Sequence, residues 1–124
     1  MRWADMDAFG HVNNAAYLSY LEEARSAYVA QALNWNWAQD RFLLAHVSID
    51  YMRELKYGDP VQIFIRISRV GTKSFDLEYL VGPESGQNPV AAARTVQVMV
   101  GPTGGAIPIP PHIRALFQKT GPEL

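Results

Sequence analysis

The sequence has 124 residues, 48% of them hydrophobic, which is enough for one compact domain over residues 1–124 with a buried core. Eleven basic and twelve acidic side chains give a formal charge of −1, so no general positive field favours nucleic acid or an anionic membrane surface as a partner. There is no cysteine, which excludes a disulfide framework, a thiolate zinc site and a cysteine nucleophile.

The N-terminus carries no targeting signal that we recognise. Its first residues lack the apolar segment of a secretory signal and look like the end of a strand. No stretch of the chain approaches the ~20 apolar residues that a membrane span needs. We therefore expect a cytoplasmic protein that does not bind membranes.

The first long predicted element is an amphipathic helix from Asn14 to about Leu33. Its larger apolar residues recur at helical spacing, at Tyr17, Tyr20, Leu21, Ala24 and Tyr28. The polar residues that mostly lie off this stripe are Glu22, Glu23, Arg25 and Ser26. Asn13 and Asn14 suit an N-cap, because their side-chain carbonyl accepts an unpaired backbone N–H of the first turn.

Four segments of alternating hydrophobicity follow the helix and predict strands. The first has apolar residues on one side at Ala45, Val47, Ile49 and Tyr51, and the second runs from Val61 to Ile67 after a turn at Gly58 to Pro60. The third has Phe75, Leu77, Tyr79 and Val81 on one face, and the fourth runs from Val90 to Val100 with Val96, Val98 and Val100 aligned. A short loop at Gly71 to Lys73 predicts an antiparallel hairpin between the second and third strands.

A Pro-rich segment, Ile107 to Pro111, precedes a predicted helix near Ile113 to Lys119, in which Pro110 or Pro111 suits the first turn. A run of strands after one helix predicts an α+β fold with an antiparallel sheet, because parallel strands would need crossover helices. The long helix must cover one face of this sheet, since its apolar stripe has no other partner in the chain.

The segment from Asp5 to Asn14 lies between the expected strand end and the helix start. Unpaired backbone N–H groups and the positive end of the helix dipole favour anions there. A thioester oxyanion could be held by these groups while a carboxylate attacks or activates water. Asp5 and Asp7 point to opposite sides of an extended segment, so only one should serve the site, and periodicity does not choose between them.

This segment closely resembles the signature of the 4-hydroxybenzoyl-CoA thioesterase family of hot-dog proteins. It reads DMDAFGHVNNAAYL over residues 5–18 and continues as YLEEAR over residues 20–25. Other landmarks of the family also match: Arg53, the turn at Gly58 and Asp59, the Gly-x-x-Ser hairpin at Gly71 to Ser74, and the Ile-Pro stretch before the last helix. The resemblance covers nearly the whole chain and implies a hot-dog fold, an antiparallel sheet wrapped around one long central helix.

The resemblance also implies an acyl-CoA thioesterase and its site residues. The catalytic carboxylate of the family matches Asp7, acting as nucleophile through a mixed anhydride or as general base toward water. The thioester oxygen would be held by backbone N–H groups between Asn13 and Ala15. The residues expected to bind the oxyanion or substrate are Gly10, His11, Asn13, Asn14 and Tyr17. The HVNN sequence resembles bacterial enzymes of longer fatty acyl-CoA, which favours a medium or long aliphatic acyl chain.

Coenzyme A carries phosphates, so the mouth of the site should hold Arg or Lys side chains. We favour Arg53 and Lys73 among the cations of the strand region. The three histidines, His11, His46 and His112, show no metal-ligand spacing, so neither a metal nor another cofactor is expected.

The family usually builds its site across a dimer interface, which implies a homodimer or homotetramer, and an unpaired sheet edge gives an independent reason for pairing. The acyl carrier could be coenzyme A or acyl-carrier protein. One alternative function is a hydratase or dehydratase that would use His11 with Glu22 or Glu23, although these glutamates also fit a solvated helix face. The other alternative is a non-catalytic module that binds an acyl thioester.

Overall fold

The computed structural model describes residues 14–53, 62–83 and 89–120. Its elements in chain order are α1 (Asn14–Gln31), β1 (Arg41–Tyr51), β2 (Gln62–Val70), β3 (Ser74–Gly82), β4 (Ala91–Val100) and α2 (Pro111–Thr120). The predicted order of one long helix, four strands and a short helix is confirmed. The expected N-terminal strand end and the turn at Gly58 to Pro60 lie outside the described residues.

Helix α1 ends through a left-handed residue. Asn34 has a φ of 49°, a conformation that asparagine tolerates better than most side chains. The Trp35 N–H then donates to the Val29 carbonyl oxygen at 3.1 Å, which satisfies a carbonyl of the last helical turn. This reversal turns the chain from α1 toward β1.

The four described strands form one antiparallel sheet in the order β1-β4-β3-β2. We call one end of it the Tyr51 end, where Tyr51, Gln62, Gly82 and Ala91 lie. The opposite end, which we call the Lys73 end, holds the β2–β3 hairpin and the start of β1 at Arg41. Predicted site residues at the same end of the sheet can belong to one site, whereas residues at opposite ends cannot meet within one chain.

One hydrophobic core joins α1, the sheet and α2. Helix α1 and the residues just after it contribute Tyr17, Leu21, Val29 and Leu33, each at most 3% exposed. Phe75, Leu77 and Tyr79 of β3 are buried on the same side, and α2 adds Ile113 and Phe117. The predicted amphipathic helix against one face of the sheet is therefore confirmed.

One detail of the sequence interpretation is wrong. Arg25 lies on the buried side of α1 rather than off the stripe, because it falls between Leu21 and Val29 in the helical projection. On β4, Thr95, Gln97 and Met99 are buried, so the aligned valines Val96, Val98 and Val100 belong to the opposite, less buried face.

Candidate active site

The first turn of α1 lies at the Tyr51 end of the sheet. Tyr17, one turn into α1, is 3% exposed, and its ring packs edge to face on that of Tyr51, with 5.0 Å between centroids. Tyr51 is the last residue of β1 and is 46% exposed. The two rings therefore tie the start of the helix to the end of a strand.

Both tyrosines are neutral groups at physiological pH. Burial raises the pKa of Tyr17, and the nearby Tyr51 raises it further. Burial also raises the pKa of Tyr51. The two phenols can therefore donate or accept hydrogen bonds, but they are poor bases.

The start of α1 is an electrostatically favourable place for an oxyanion. The helix begins at Asn14, and its first turn contains no acidic residue. The backbone N–H groups of a first turn have no partner within the helix and lie at the positive end of its dipole. Backbone N–H groups so arranged are the donors that acyl-transfer enzymes use for a tetrahedral oxyanion.

Arg53 lies at this same end. It is exposed, and its backbone N–H donates to the Val90 carbonyl oxygen at 3.2 Å, beside the bond from Met52 at 2.8 Å. These bonds hold the chain after β1 against the start of β4. The predicted coenzyme A contact and Tyr17 thus share one end of the protomer.

Lys73 lies at the opposite end. It belongs to the β2–β3 hairpin, and its carbonyl oxygen accepts the Met99 N–H at 2.9 Å. Ser74 and Val81 bound the pairing of β3 with β4, and at ~3.3 Å per residue roughly 23 Å separates them. Lys73 and Tyr17 therefore do not meet within one protomer.

The other predicted site residues lie outside the described part of the chain. These are Asp7, Gly10, His11 and Asn13, and for Asn14 only the backbone is described. Their roles stay predictions. Glu22 and Glu23 are described and are exposed on α1.

Neither a metal cluster nor a membrane span is found among residues 14–53, 62–83 and 89–120. These ranges contain no group of three or more His, Cys, Asp or Glu side chains placed to hold a metal ion. Within the same ranges, neither helix is long and apolar enough to cross a membrane.

Sequence reasoning missed a row of buried polar side chains under α1. Tyr79, Thr95 and Gln97 are each at most 1% exposed, and Arg25 approaches them from the helix. The available signal was the position of Arg25 four residues after Leu21 and four before Val29. A charge at that spacing marks a polar contact within the helix–sheet interface.

Comparison with known proteins identifies the family. Residues 1–117 match the profile of the thioesterase-like superfamily. The chain is 29% identical to the long-chain acyl-CoA thioesterase FadM of Escherichia coli over 75% of this chain and 73% of the relative. It is 30% identical to the 1,4-dihydroxy-2-naphthoyl-CoA hydrolase of Synechococcus elongatus, over 97% and 92% of the two chains.

A solved thioesterase structure has the same fold as this chain. The thioesterase of Thermus thermophilus, crystallised with coenzyme A and Zn, superposes with a TM-score of 0.84 at 33% identity, covering 96% of this chain and 87% of that one. The hot-dog architecture predicted from the sequence is confirmed by this match.

Proposed function

Because the chain belongs to the thioesterase-like superfamily, a family of thioester hydrolases, we propose that it hydrolyses an acyl-CoA thioester with Asp7 as the catalytic carboxylate. The observation that carries the proposal is the position of α1. The helix starts at Asn14, immediately after the Asp5–Asn13 segment, at the Tyr51 end where Tyr17 and Arg53 lie. On this proposal the Asp7 carboxylate, the oxyanion donors of the first helical turn and Arg53 as the cation for phosphate act together at this end.

The proposed chemistry needs two functions from the protein. In one route the Asp7 carboxylate attacks the thioester carbonyl carbon and the thiolate of coenzyme A leaves, after which water hydrolyses the mixed anhydride, releases the acid and regenerates Asp7. In the other route Asp7 removes a proton from a water that attacks the same carbon and displaces the thiolate. Backbone N–H groups between Asn13 and Ala15 stabilise the oxyanion that forms in either case. Gly10, His11, Asn14 and Tyr17 complete the proposed contacts with the substrate.

We assign a medium or long aliphatic acyl-CoA as the substrate. The HVNN sequence at residues 11–14 supports this choice, and one relative, FadM, is named a long-chain acyl-CoA thioesterase. Another relative is named for an aromatic acyl-CoA, so an aromatic acyl chain is the competing substrate. Arg53 would pair with a phosphate of coenzyme A in both cases. Within the superfamily we propose membership of the 4-hydroxybenzoyl-CoA thioesterase family, on the resemblance carried by residues 5–18.

We further propose a homodimer, or a homotetramer built from it, in the cytoplasm. Among the described strands β1 lies at an edge of the sheet and pairs with β4 alone. It exposes Leu43 at 59% and Leu44 at 41%, which is unusual for a strand that stays solvated. Two β1 strands paired antiparallel would bring the Lys73 end of one copy beside the Tyr51 end of the other. Lys73 would then serve the site of the second copy.

The test is release of free thiol from a panel of acyl-CoAs, from acetyl to palmitoyl with benzoyl and phenylacetyl, by the wild type, Asp7→Asn and Asp5→Asn. Asp5→Asn is the matched control, since it removes a neighbouring carboxylate of the same segment. We expect Asp7→Asn to lose at least about 100-fold in kcat, and Asp5→Asn to retain activity, with equal melting temperatures.

Equal activity of the wild type and Asp7→Asn would contradict the assigned carboxylate. Absence of thiol release by the wild type from every acyl-CoA of the panel would contradict an acyl-CoA substrate. The same assay with acyl-carrier protein thioesters then separates a carrier-protein substrate from a non-catalytic module. The exposed positions of Glu22 and Glu23 give no support to a dehydratase that pairs either with His11.

A further inference from the structure

The backbone around the end of β1 is held by hydrogen bonds that join three strands. Tyr51 is the last residue of β1, and the N–H groups of Met52 and Arg53 after it both donate to the Val90 carbonyl oxygen, at 2.8 and 3.2 Å. The Val90 N–H in turn donates to the Val81 carbonyl oxygen of β3 at 2.7 Å. These bonds fix the backbone that carries the Tyr51 ring.

The Tyr51 ring joins this fixed backbone to the first turn of α1. It meets the ring of Tyr17 edge to face, with 5.0 Å between centroids. Helix α1 begins at Asn14, and Tyr17 lies about 4.5 Å further along the axis at ~1.5 Å rise per residue. The contact is therefore within one turn of the unpaired backbone N–H groups at the helix start.

The second half of α1 packs less tightly on its side toward β2. A cavity of about 290 Å³ lies there, and its walls include Ala24 and Ala27 of the helix and Ile63 and Ile65 of the strand. Protein interiors normally interdigitate with few voids, and methyl side chains beside a cavity interlock little with their neighbours. This part of the interface leaves room for a small displacement of α1. The position of the first turn therefore depends on the contacts at its own end.

We propose that Tyr51 is a positioning residue for thioester hydrolysis, whose ring places the first turn of α1 through Tyr17. This inference rests on the proposed function, in which backbone N–H groups of that turn bind the oxyanion. Such bonds depend on the distance and direction of the donors, and misplacement of a catalytic group by about 1 Å can cost roughly 100-fold in rate. Removal of the ring should lower kcat. Arg53 is held by its backbone bond and should keep its contribution to KM.

The test measures kcat and KM for Tyr51→Leu and Tyr51→Phe, with the acyl-CoA of the panel that the wild type hydrolyses fastest. Tyr51→Leu removes the ring and should lower kcat about tenfold with KM within about twofold. Tyr51→Phe loses only the hydroxyl and should keep both constants within about twofold of the wild type. Tyr51→Met, which also removes the ring, replaces Tyr51→Leu if the latter is unstable. Melting temperatures and sedimentation report whether each variant keeps the fold and assembly of the wild type.

The matched control is Phe64→Leu, which removes another half-exposed ring near the same end of the sheet. Phe64 is 37% exposed and pairs with Leu80 of β3. Because Tyr79 and Val81 on either side of Leu80 are buried under α1, Leu80 and Phe64 lie on the opposite face. We expect Phe64→Leu to keep the wild-type kcat and KM.

A double-mutant cycle separates positioning from direct contact of Tyr51 with the substrate. Tyr17→Leu should be slow by itself, since Tyr17 is also a proposed substrate contact. In that background Tyr51→Leu should lower kcat by less than about twofold more, because its ring has already lost its partner. A ring that touched the substrate would keep its full effect.

Four results would each overturn the inference while the wild type is active. They are a wild-type kcat in Tyr51→Leu, an equal loss in Tyr51→Phe, an equal loss in Phe64→Leu, and an undiminished effect of Tyr51→Leu in the Tyr17→Leu background. An inactive wild type would instead contradict the proposed function itself and remove the inference with it.

Discussion

The ring of Tyr17 meets the ring of Tyr51 at an interplanar angle of 79° with 5.0 Å between centroids. Such edge-to-face pairs add about 0.5–1.5 kcal/mol beyond the apolar area they bury. Here the pair joins the first turn of α1 to the last residue of β1, so it stabilises the end of the protomer to which the proposed site belongs.

Tyr17 should matter for stability through its ring and not through its hydroxyl. We expect Tyr17→Ala to lower the free energy of unfolding by about 3–5 kcal/mol, the range for truncating a buried aromatic ring. Tyr17→Phe keeps the ring and should cost less than about 1 kcal/mol. Urea unfolding followed by tryptophan fluorescence measures both. A loss for Tyr17→Ala as small as that for Tyr17→Phe would show that the pair does not stabilise this end.

Asp76 should make stability depend on pH. Its carboxylate is 3% exposed in the side chain and accepts from Arg69 at 2.9 Å and from Arg94 at 2.8 Å. Burial alone would raise the pKa of Asp76, but the hydrogen bonds and charges of the two arginines together lower it below its ordinary value of 3.8. A lowered folded-state pKa stabilises the protein above pH 3.8, and this contribution disappears as the pH falls through the folded value.

The corresponding variant is Asp76→Asn, which keeps the size of the side chain and removes its charge. The two arginines are about half exposed, so we expect a loss of about 1–3 kcal/mol at pH 7, less than for a fully buried pair. The difference between wild type and variant should shrink when the unfolding free energy is measured from pH 6 down to pH 3. A constant difference over that range would contradict the assignment to the carboxylate charge.

The ring of Phe117 should contribute to the stability of the fold by packing α2 into the core. It is fully buried, and its ring lies 4.6 Å from that of Phe75 and 6.4 Å from that of Trp35, measured between centroids. We expect Phe117→Ala to cost about 3–5 kcal/mol and Phe117→Leu to cost clearly less. Thermal unfolding followed by ellipticity and by fluorescence measures both losses. An unchanged melting temperature in Phe117→Ala would contradict this prediction.

The elements could be predicted because their periodicities are strong. The alternation from Phe75 to Val81 and the helical spacing from Tyr17 to Leu21 each point one set of side chains into the core. On β4 both faces carry small or apolar residues, so period alone does not say which face is buried. The register of β4 with β3 decides it: Thr95 lies opposite Leu77 and Gln97 opposite Phe75, so both fall on the buried face.

The site could be predicted only as far as it is local in sequence. Asn14 and Tyr17 follow the acidic segment directly, so their place at the helix start needed no tertiary information. The sequence predicts Lys73 and Arg53 together as coenzyme A contacts among the cations of the strand region, but the hairpin topology puts them at opposite ends of the sheet. Arg25 was missed because a charged side chain is ordinarily counted as solvated, whatever its helical position.

The exposed edge of β1 should be the surface through which two copies associate. Leu44 of β1 and Leu80 of β3 are both 41% exposed, but Leu44 lies on the edge strand, whereas β3 is paired on both sides. Leu44→Lys would place two charges in a desolvated two-fold interface, at a cost of about 2 kcal/mol or more, which is about 30-fold in Kd. Leu80→Lys makes the same chemical change away from that edge.

We therefore expect the wild type and Leu80→Lys to sediment as dimers or larger assemblies and Leu44→Lys to dissociate toward monomer at micromolar concentration. Loss of thioesterase activity together with dissociation would support a site completed by the second copy, since Lys73 lies too far from Tyr17 to serve it within one protomer. A monomeric wild type, or a Leu44→Lys variant as strongly associated as Leu80→Lys, would contradict pairing through β1. Dissociation caused by Leu80→Lys but not by Leu44→Lys would indicate that two copies associate through the exposed sheet face that carries Leu80.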